Sequence, residues 1–362
     1  MVEAWQKGPG NPASTHHAGR AQRRILEDAR DKVASLLGAF PDEVVFTSGA
    51  TEANNLALLG HAAAAGPNSP LIGSPVEHKS VLQVLCELAK AGHPLTLVSP
   101  NPEGIVPDLT CALPTGANPG TVTLQLANQE TGALQPVGKL GKQLASTHPA
   151  WRLHTDATQA VGKIRVDFHS LFVHTLSLSG HKWGGPIGAG ALLVRRGWPL
   201  RALCHGGEQQ DGRRPGTESS MLAAALAVAL SEAVADLDAF QTRASAFRQT
   251  ILNTLKQNAV PYEINGSPEG LPHILNLSFG GIRADLLVMA LDLEQVAISA
   301  GSACTSGSIL PSSVLTSMGL SKDRILSSIR ISLGHDTTPE IVDEALVRLI
   351  RVVRRLGGGG LS

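Results

Sequence analysis

With 362 residues, 43% of them hydrophobic and only 17% charged, the chain can bury the cores of two ordinary domains and lacks the composition of a disordered protein. Lysine plus arginine and aspartate plus glutamate number 30 each, so the formal net charge of +0 argues against nucleic acid or an anionic membrane as the main partner. Apolar runs such as MLAAALAVAL at 221–230 are far short of a membrane span, no charged-then-apolar leader opens the chain, and the four cysteines form no C-x-x-C pair, which points to reducing cytosol.

In chain order, EVVFTSG at 43–49 reads as a strand ending in a turn, and TEANNLALLGHAAAA at 51–65 as the helix after it. PLIGSPVEH (70–78), LTLVSP (95–100), TVTLQLANQE (121–130) and RLHTDATQ (152–159) each read as a buried strand running into a polar end. TLSLSGHKWGGPIGAGAL at 175–192 places Lys182 between a strand and a glycine-rich turn. Strands alternating with helices predict a mostly parallel sheet covered on both faces. A long helical stretch at about 219–258 then leads into PHILNLSFGG, ADLLVMALDLEQVAISAGSACTSGS and a last helix at about 338–356, a pattern suited to a smaller α+β domain with a frayed GGGGLS tail.

Ligands of open parallel sheets bind at the carboxyl ends of the strands. The polar residues there are Ser48 to Thr51, Glu77-His78, Asn128 to Glu130, Asp156 with Gln159, and Ser179 with His181-Lys182. One such end is an ordinary cap or turn former; five in succession, two carrying histidine, point to a shared ligand. They fit pyridoxal 5'-phosphate, which needs a lysine amine for its Schiff base and an acid beside the ring nitrogen. It also needs a phosphate cradle of free backbone N–H groups, which TSGATE offers where a strand passes through glycine into a helix.

The segments TSGATEANN, EHKSV, ANQETGALQPV, HTDATQAVGK, SLSGHKWGGPIGAG, GRRPGTES, ISAGSACTSGS and IRISLGHDTT follow one another in this order. Together they resemble the group I (NifS/IscS-like) cysteine desulfurases of the class V aminotransferase superfamily, over nearly the whole chain. The resemblance implies an α/β protein of PLP-dependent transferase fold type I, with a mostly parallel seven-stranded sheet, flanking helices and a smaller α+β C-terminal domain. The expected division is a large cofactor-binding domain at 12–235 and a small domain at 236–362 that takes residues 1–11 with it.

By resemblance, Lys182 carries the cofactor, Asp156 binds the pyridine nitrogen, His78 stacks on the ring, and Gln159 and Gln129 approach the ring oxygen. Ala50, Thr51, Ser179 and His181 hold the phosphate, and Thr217 in GRRPGT reaches the phosphate of a second copy's cofactor, which implies a homodimer. Arg330 clamps the substrate carboxylate, with Asn11 of the GNP element also placed at the substrate. Cys304, in a small, polar, glycine-bearing loop, would attack the sulfur of bound L-cysteine, leaving L-alanine and a persulfide that passes to an acceptor such as an iron–sulfur scaffold protein or a tRNA-thiolation partner. Cys86, on an apolar helix pattern, reads as a buried structural cysteine.

Three positions depart from the family pattern. Only nine residues precede Gly10, too few for the family's D-x-x-A-T-T-like opening strand, which implies either a mis-assigned gene start or a protein lacking part of its small domain and substrate pocket; Gln129 stands where relatives have asparagine; and His335 stands where many have arginine, with no role assigned. A selenocysteine lyase shares the cofactor and lysine but depends less on a persulfide-forming cysteine, so the GSACTSGS loop favours the desulfurase. A truncated homologue with impaired catalysis, acting as a binding protein, is the reading from a different class. The presence of Lys182, Asp156, Cys304 and Arg330 argues against it.

Overall fold

The computed structural model describes residues 10–114, 119–301 and 311–357, together with residues 1, 2, 6 and 8. By contacts these divide into two compact units, one of residues 1–98, 108–126 and 135–237, the other of 99–107, 127–134 and 238–362. The opening residues fall with the first unit, whereas the sequence reading grouped them with the smaller one. Gln22 donates to the Gly8 carbonyl at 2.7 Å, and a Cβ on Gly10 would lie 2.6 Å from the Ala18 carbonyl oxygen.

The first unit is built on a seven-stranded sheet of β1 (Val44–Thr47), β2 (Leu71–Gly73), β3 (Leu95–Leu97), β4 (Thr121–Thr123), β5 (Arg152–Asp156), β6 (Thr175–Ser179) and β7 (Gly190–Val194). Its spatial order is β1-β7-β6-β5-β4-β2-β3. Only β7 runs against the rest, pairing antiparallel with both β1 and β6. The carboxyl ends of β1, β2, β4, β5 and β6 therefore share one edge, and β7 begins there at Gly190, in register with Thr47 and Ser179. Strands β4 to β7 are buried along their whole length, which is why they read as apolar runs and not as alternating ones.

The helices of this unit are α1 (His17–Leu36), α2 (Ala50–Ala65), α3 (Lys79–Lys90), α4 (Val137–Thr147) and α5 (Ser220–Ala235). In α3 the buried residues Val81, Val84, Leu85 and Leu88 follow the i, i+3, i+4, i+7 spacing of one helix face. Cys86 lies off that face and is half-buried, so its expected burial is corrected. The alanine-rich α2 buries Ala53, Leu56 and Ala57 against Val45, Leu192 and Val194 of the sheet.

The second unit carries a four-stranded antiparallel sheet in the order β10 (Ser299–Ala300), β11 (Ser328–Ser332), β9 (Ile274–Ser278), β8 (Glu263–Asn265). Helices α6 (Leu237–Gln257), α7 (Ala284–Leu293) and α10 (Pro339–Gly357) pack a core on it that includes Phe240, Leu255, Leu277, Leu287, Ile329 and Leu346. The short α8 (Ser313–Ser317) and α9 (Lys322–Leu326) complete the unit. His335 stacks on Phe240 with ring centroids 4.3 Å apart, a packing role for the position left unassigned from sequence.

Two expected elements are shorter than the sequence implies. The strand read over 121–130 keeps strand geometry only to Thr123; Leu124 and Leu126 still donate backbone N–H groups to His154 and Asp156, and the Asn128 side chain then turns the chain by accepting from the N–H groups of Glu130 and Thr131 at 2.8 and 2.9 Å. The single helix read over 219–258 is two helices, divided at Asp236, a residue type that favours helix ends. Among the described residues, no single helix is long and apolar enough to cross a membrane.

Candidate active site

At the shared edge of the first sheet, β1 passes through Ser48-Gly49 into α2. Gly49 has φ +155, and its neighbours leave little room: a Cβ on Gly190 would come within 2.6 Å of the Gly49 Cα, and a Cβ on Gly49 within 3.3 Å of Ser179 Oγ. Only glycine at 190 lets β7 pass this close to the turn. No side chain caps α2, so its first turn, at Ala50 and Thr51, offers uncapped N–H groups, and Ser179 Oγ lies close to the same turn at Gly49. A capless N-terminus of a 16-residue helix beside a hydroxyl suits a phosphate. His181 extends the same group, its Nδ1 2.9 Å from Ser179 Oγ.

Lys182 lies in a single 3-10 turn, Gly180–Trp183, closed by the left-handed Gly184 and by the Gly185 N–H bonding the Gly180 carbonyl at 2.9 Å. This turn projects the amine at the edge, exposed, next to two imidazoles. Partial burial lowers the pKa of His181 and the Lys182 charge lowers it further. Burial also lowers the pKa of His78, with Lys182 and Lys79 adding to the effect and Asp156 opposing it. His78 is the N-cap of α3: its Nδ1 accepts from the Ser80 N–H at 3.1 Å, which leaves the imidazole proton on Nε2.

Asp156, at the end of β5, is only 6% exposed. One of its oxygens accepts from the Thr158 N–H at 2.9 Å and the other from Asn54 Nδ2 at 2.8 Å, which leaves acceptor capacity for a further donor. Asn54 is the centre of a buried network that sequence reasoning missed. Its amide also donates to Ser80 Oγ at 2.8 Å, and Ser80 Oγ in turn lies 2.8 Å from His78 Nδ1. Its carbonyl oxygen accepts from Ser177 Oγ and meets His154 Nε2 at 3.0 Å. Burial pushes His154 down to about 4, against the pull of Asp156, so its ring is neutral at pH 7 with the proton on Nε2 and Nδ1 accepting from Thr175. The ring partner and the ring-nitrogen partner expected from sequence, His78 and Asp156, are thereby joined through Ser80 and Asn54. The sequence carries only a faint signal for this network: Asn54 interrupts the apolar residues Ala53, Leu56 and Ala57 on the buried side of α2.

Glu77, next to His78, is 2% exposed. Its Oε1 accepts from the Gln125 N–H at 2.9 Å and from Thr123 Oγ1 at 3.2 Å, while Oε2 is buried with no partner. Burial, and then the charge of Asp156, raise its pKa to about 8, so at neutral pH Glu77 is an uncharged acid and Asp156 is not faced by a second carboxylate charge.

The remaining expected residues are placed as follows. Gln159 is half-buried in the turn after β5, three residues beyond Asp156. Thr217 is exposed on the segment after β7. Asn11 turns back on itself, its Oδ1 accepting from the Ala13 N–H at 2.9 Å. Within the second unit, Arg330 on β11 donates to the Gln129 carbonyl at 2.9 Å and to Ser299 Oγ at 3.3 Å, while its buried Nε has no partner. Gln129 thus takes part through its backbone, and the guanidinium is held in place by two of its N–H groups, with the Nε–H among those left for a carboxylate. Cys304 lies outside the described residues, as does the tail from residue 358.

These residues fit pyridoxal phosphate: an amine, a buried carboxylate with spare acceptor capacity, a neutral imidazole and an uncapped helix turn meet on one sheet edge. The comparisons with known proteins agree. A model of the aminotransferase class V family matches residues 1–345. The putative cysteine desulfurase IscS 1 of Bacillus subtilis is 39% identical over 359 residues, 98% of this chain and 94% of its own. Among solved structures, a NifS-like protein superposes with a TM-score of 0.89 at 31% identity, over 96% of this chain and 92% of its own. The protein SspA, solved in complex with cysteine, superposes with a TM-score of 0.79 at 33% identity, over 92% and 94%. The chain belongs to the aminotransferase class V family.

Proposed function

We infer that the protein is a pyridoxal phosphate-dependent cysteine desulfurase. The observation that carries this reading is the meeting of Lys182, His78, Asp156 and the uncapped α2 turn on one sheet edge, in a chain whose relatives are named cysteine desulfurases. When bound, the cofactor supplies an aldehyde for an amine and an electron-withdrawing protonated ring.

The chain's own residues do the rest. Lys182 would hold the cofactor through its amine, and the same amine, when free, would move a proton. Asp156, held by its two donors and faced by an uncharged Glu77, holds the proton at the ring nitrogen. His78 lies against the ring as a neutral imidazole. The N–H groups of Ala50 and Thr51, with Ser179 and His181, hold the phosphate, and Gln159 approaches the ring oxygen. Arg330 orients the carboxylate of L-cysteine, a task for which its fixed guanidinium and spare Nε are suited.

We propose further that the thiolate of Cys304 takes the sulfur. The C–S bond of L-cysteine breaks, an S–S bond forms on Cys304, and the carbon gains a proton, so that L-cysteine and a thiol become L-alanine and a persulfide. The persulfide then passes to a sulfur-acceptor protein in the cytoplasm, in iron–sulfur cluster assembly or tRNA thiolation, and the working unit is a homodimer in which Thr217 meets the phosphate site of a second copy. The test is the intact mass of the cofactor-loaded protein after brief exposure to L-cysteine without reductant. One added sulfur, mapped to the peptide bearing Cys304, is expected; an unmodified Cys304 alongside alanine release would overturn the persulfide step.

A further inference from the structure

The segment after β7 is fastened along the phosphate turn by charges that the reaction itself does not use. β1 is an edge strand, and side chains in place of another strand satisfy its outer backbone groups. Gln210 Oε1 accepts from the Phe46 N–H at 3.0 Å, and Arg30 donates to the Val44 carbonyl. Gln210 is held by Arg30 Nη1 at 3.1 Å and by a bond from its own amide to Glu218. Both Gln210 and Asp211 adopt left-handed backbone conformations, φ +52 and +54, which non-glycine residues keep only where the surroundings impose them.

Four residues further on, Arg214 Nε donates to Glu52 Oε1 at 2.8 Å. Glu52 sits in the first turn of α2, directly after Thr51, and its other oxygen accepts from the Ser48 N–H at 2.8 Å and from Ser48 Oγ at 2.5 Å. Glu52 thus ties the two sides of the turn together, as an N-terminal carboxylate can. A carboxylate beside a phosphate site is costly unless its charge is matched, and Arg214 matches it.

We propose that Glu52 and Arg214 are positioning residues for the cofactor phosphate: Glu52 shapes the Ser48–Thr51 turn, and Arg214 neutralises Glu52 so that this turn can face an anion without a competing negative charge. The inference rests on the proposed cofactor function. Burial on its own would raise the pKa of Glu52, but the bonds from Arg214 and Ser48 outweigh it and lower that pKa, so Glu52 is charged and needs its partner.

The test is a double-mutant cycle read as pyridoxal phosphate affinity of the apoprotein, titrated by absorbance, with gel filtration and circular dichroism to verify folding. Arg214→Gln, which leaves Glu52 charged and unmatched, should weaken binding by about tenfold. Glu52→Gln keeps an acceptor for Ser48 and should stay within about threefold of wild type. Adding Glu52→Gln to Arg214→Gln should recover most of the lost affinity, because the repelling charge is gone. Arg214→Lys, which keeps the charge and loses only the fixed fork, should remain within about threefold of wild type. Effects of the two Gln changes that simply multiply, wild-type affinity in Arg214→Gln, or a tenfold loss in Arg214→Lys would each overturn the inference. A wild-type protein that takes up no cofactor would instead overturn the proposed function.

Discussion

Replacing Asn54 with leucine keeps the side-chain volume of α2 but removes the amide on which the buried network turns. Asp156 then keeps the Thr158 N–H and loses the Asn54 amide, a hydrogen bond to a charged group that contributes about 1.5–3 kcal/mol. The Nε2–H of His154 loses its acceptor inside the core, a desolvation cost of about 1–3 kcal/mol, whereas the hydroxyls of Ser80 and Ser177 can rotate toward other partners. Since these groups share one network, the two figures do not simply add, and the expected destabilisation is about 3–5 kcal/mol. Denaturant unfolding of wild type and Asn54→Leu, both cofactor-loaded, measures it. Desulfuration by the variant should fall by at least about tenfold, the rate equivalent of losing about 1.4 kcal/mol of support at the carboxylate. A loss of stability under about 1 kcal/mol, with wild-type turnover, would refute the claim that Asn54 fixes the carboxylate.

Gly190→Ala places a methyl group 2.6 Å from Gly49 Cα and 2.7 Å from the Leu178 carbonyl oxygen, so the phosphate turn must move. A cost of about 1–3 kcal/mol is expected, with weaker cofactor retention seen on dialysis. Glu77 has its pKa raised from the ordinary 4.5 to about 8 by burial and by Asp156, so its contribution is complete below pH 4.5 and is lost as the pH rises through 8. Glu77→Gln carries no such proton: between pH 5 and pH 7 the stability of wild type relative to this variant should fall by about 2–3 kcal/mol in urea unfolding, and a pH-independent difference would contradict the assignment. Cys304→Ser should still show a spectral change with L-cysteine but release little alanine, because a hydroxyl offers no nucleophile comparable to a thiolate at neutral pH. Release at the wild-type rate would remove Cys304 from the mechanism.

The strand ends were legible because parallel strands end on one edge, so a polar residue after each apolar run already marks the ligand side. Asp156, His78 and Lys182 were expected in that way, and the structure joins His78 to Asp156 through Ser80 and Asn54. The supporting residues were not found, for a physical reason. Asn54 and Ser80 read as ordinary polar positions on helices and His154 as one more strand residue, and only the meeting of α2, α3 and β5 reveals a shared network. The Arg30–Gln210 and Glu52–Arg214 pairs join residues 180 and 162 positions apart, a distance over which periodicity and turn chemistry carry no information. The strand read through Glu130 was overextended because LQLANQE keeps an apolar alternation, while the Asn128 side chain diverts the backbone. The grouping of residues 1–11 and the break at Asp236 likewise depended on packing that local patterns do not encode.

The central claim is tested most directly by amino-acid analysis of L-cysteine incubated with the cofactor-loaded protein and a thiol reductant, beside Lys182→Ala loaded in the same way. The wild type should form alanine in a one-to-one ratio with released sulfide, and Lys182→Ala should form none and lack the visible chromophore. Alanine produced equally by Lys182→Ala, or a loaded wild type that leaves L-cysteine unchanged, would contradict the account.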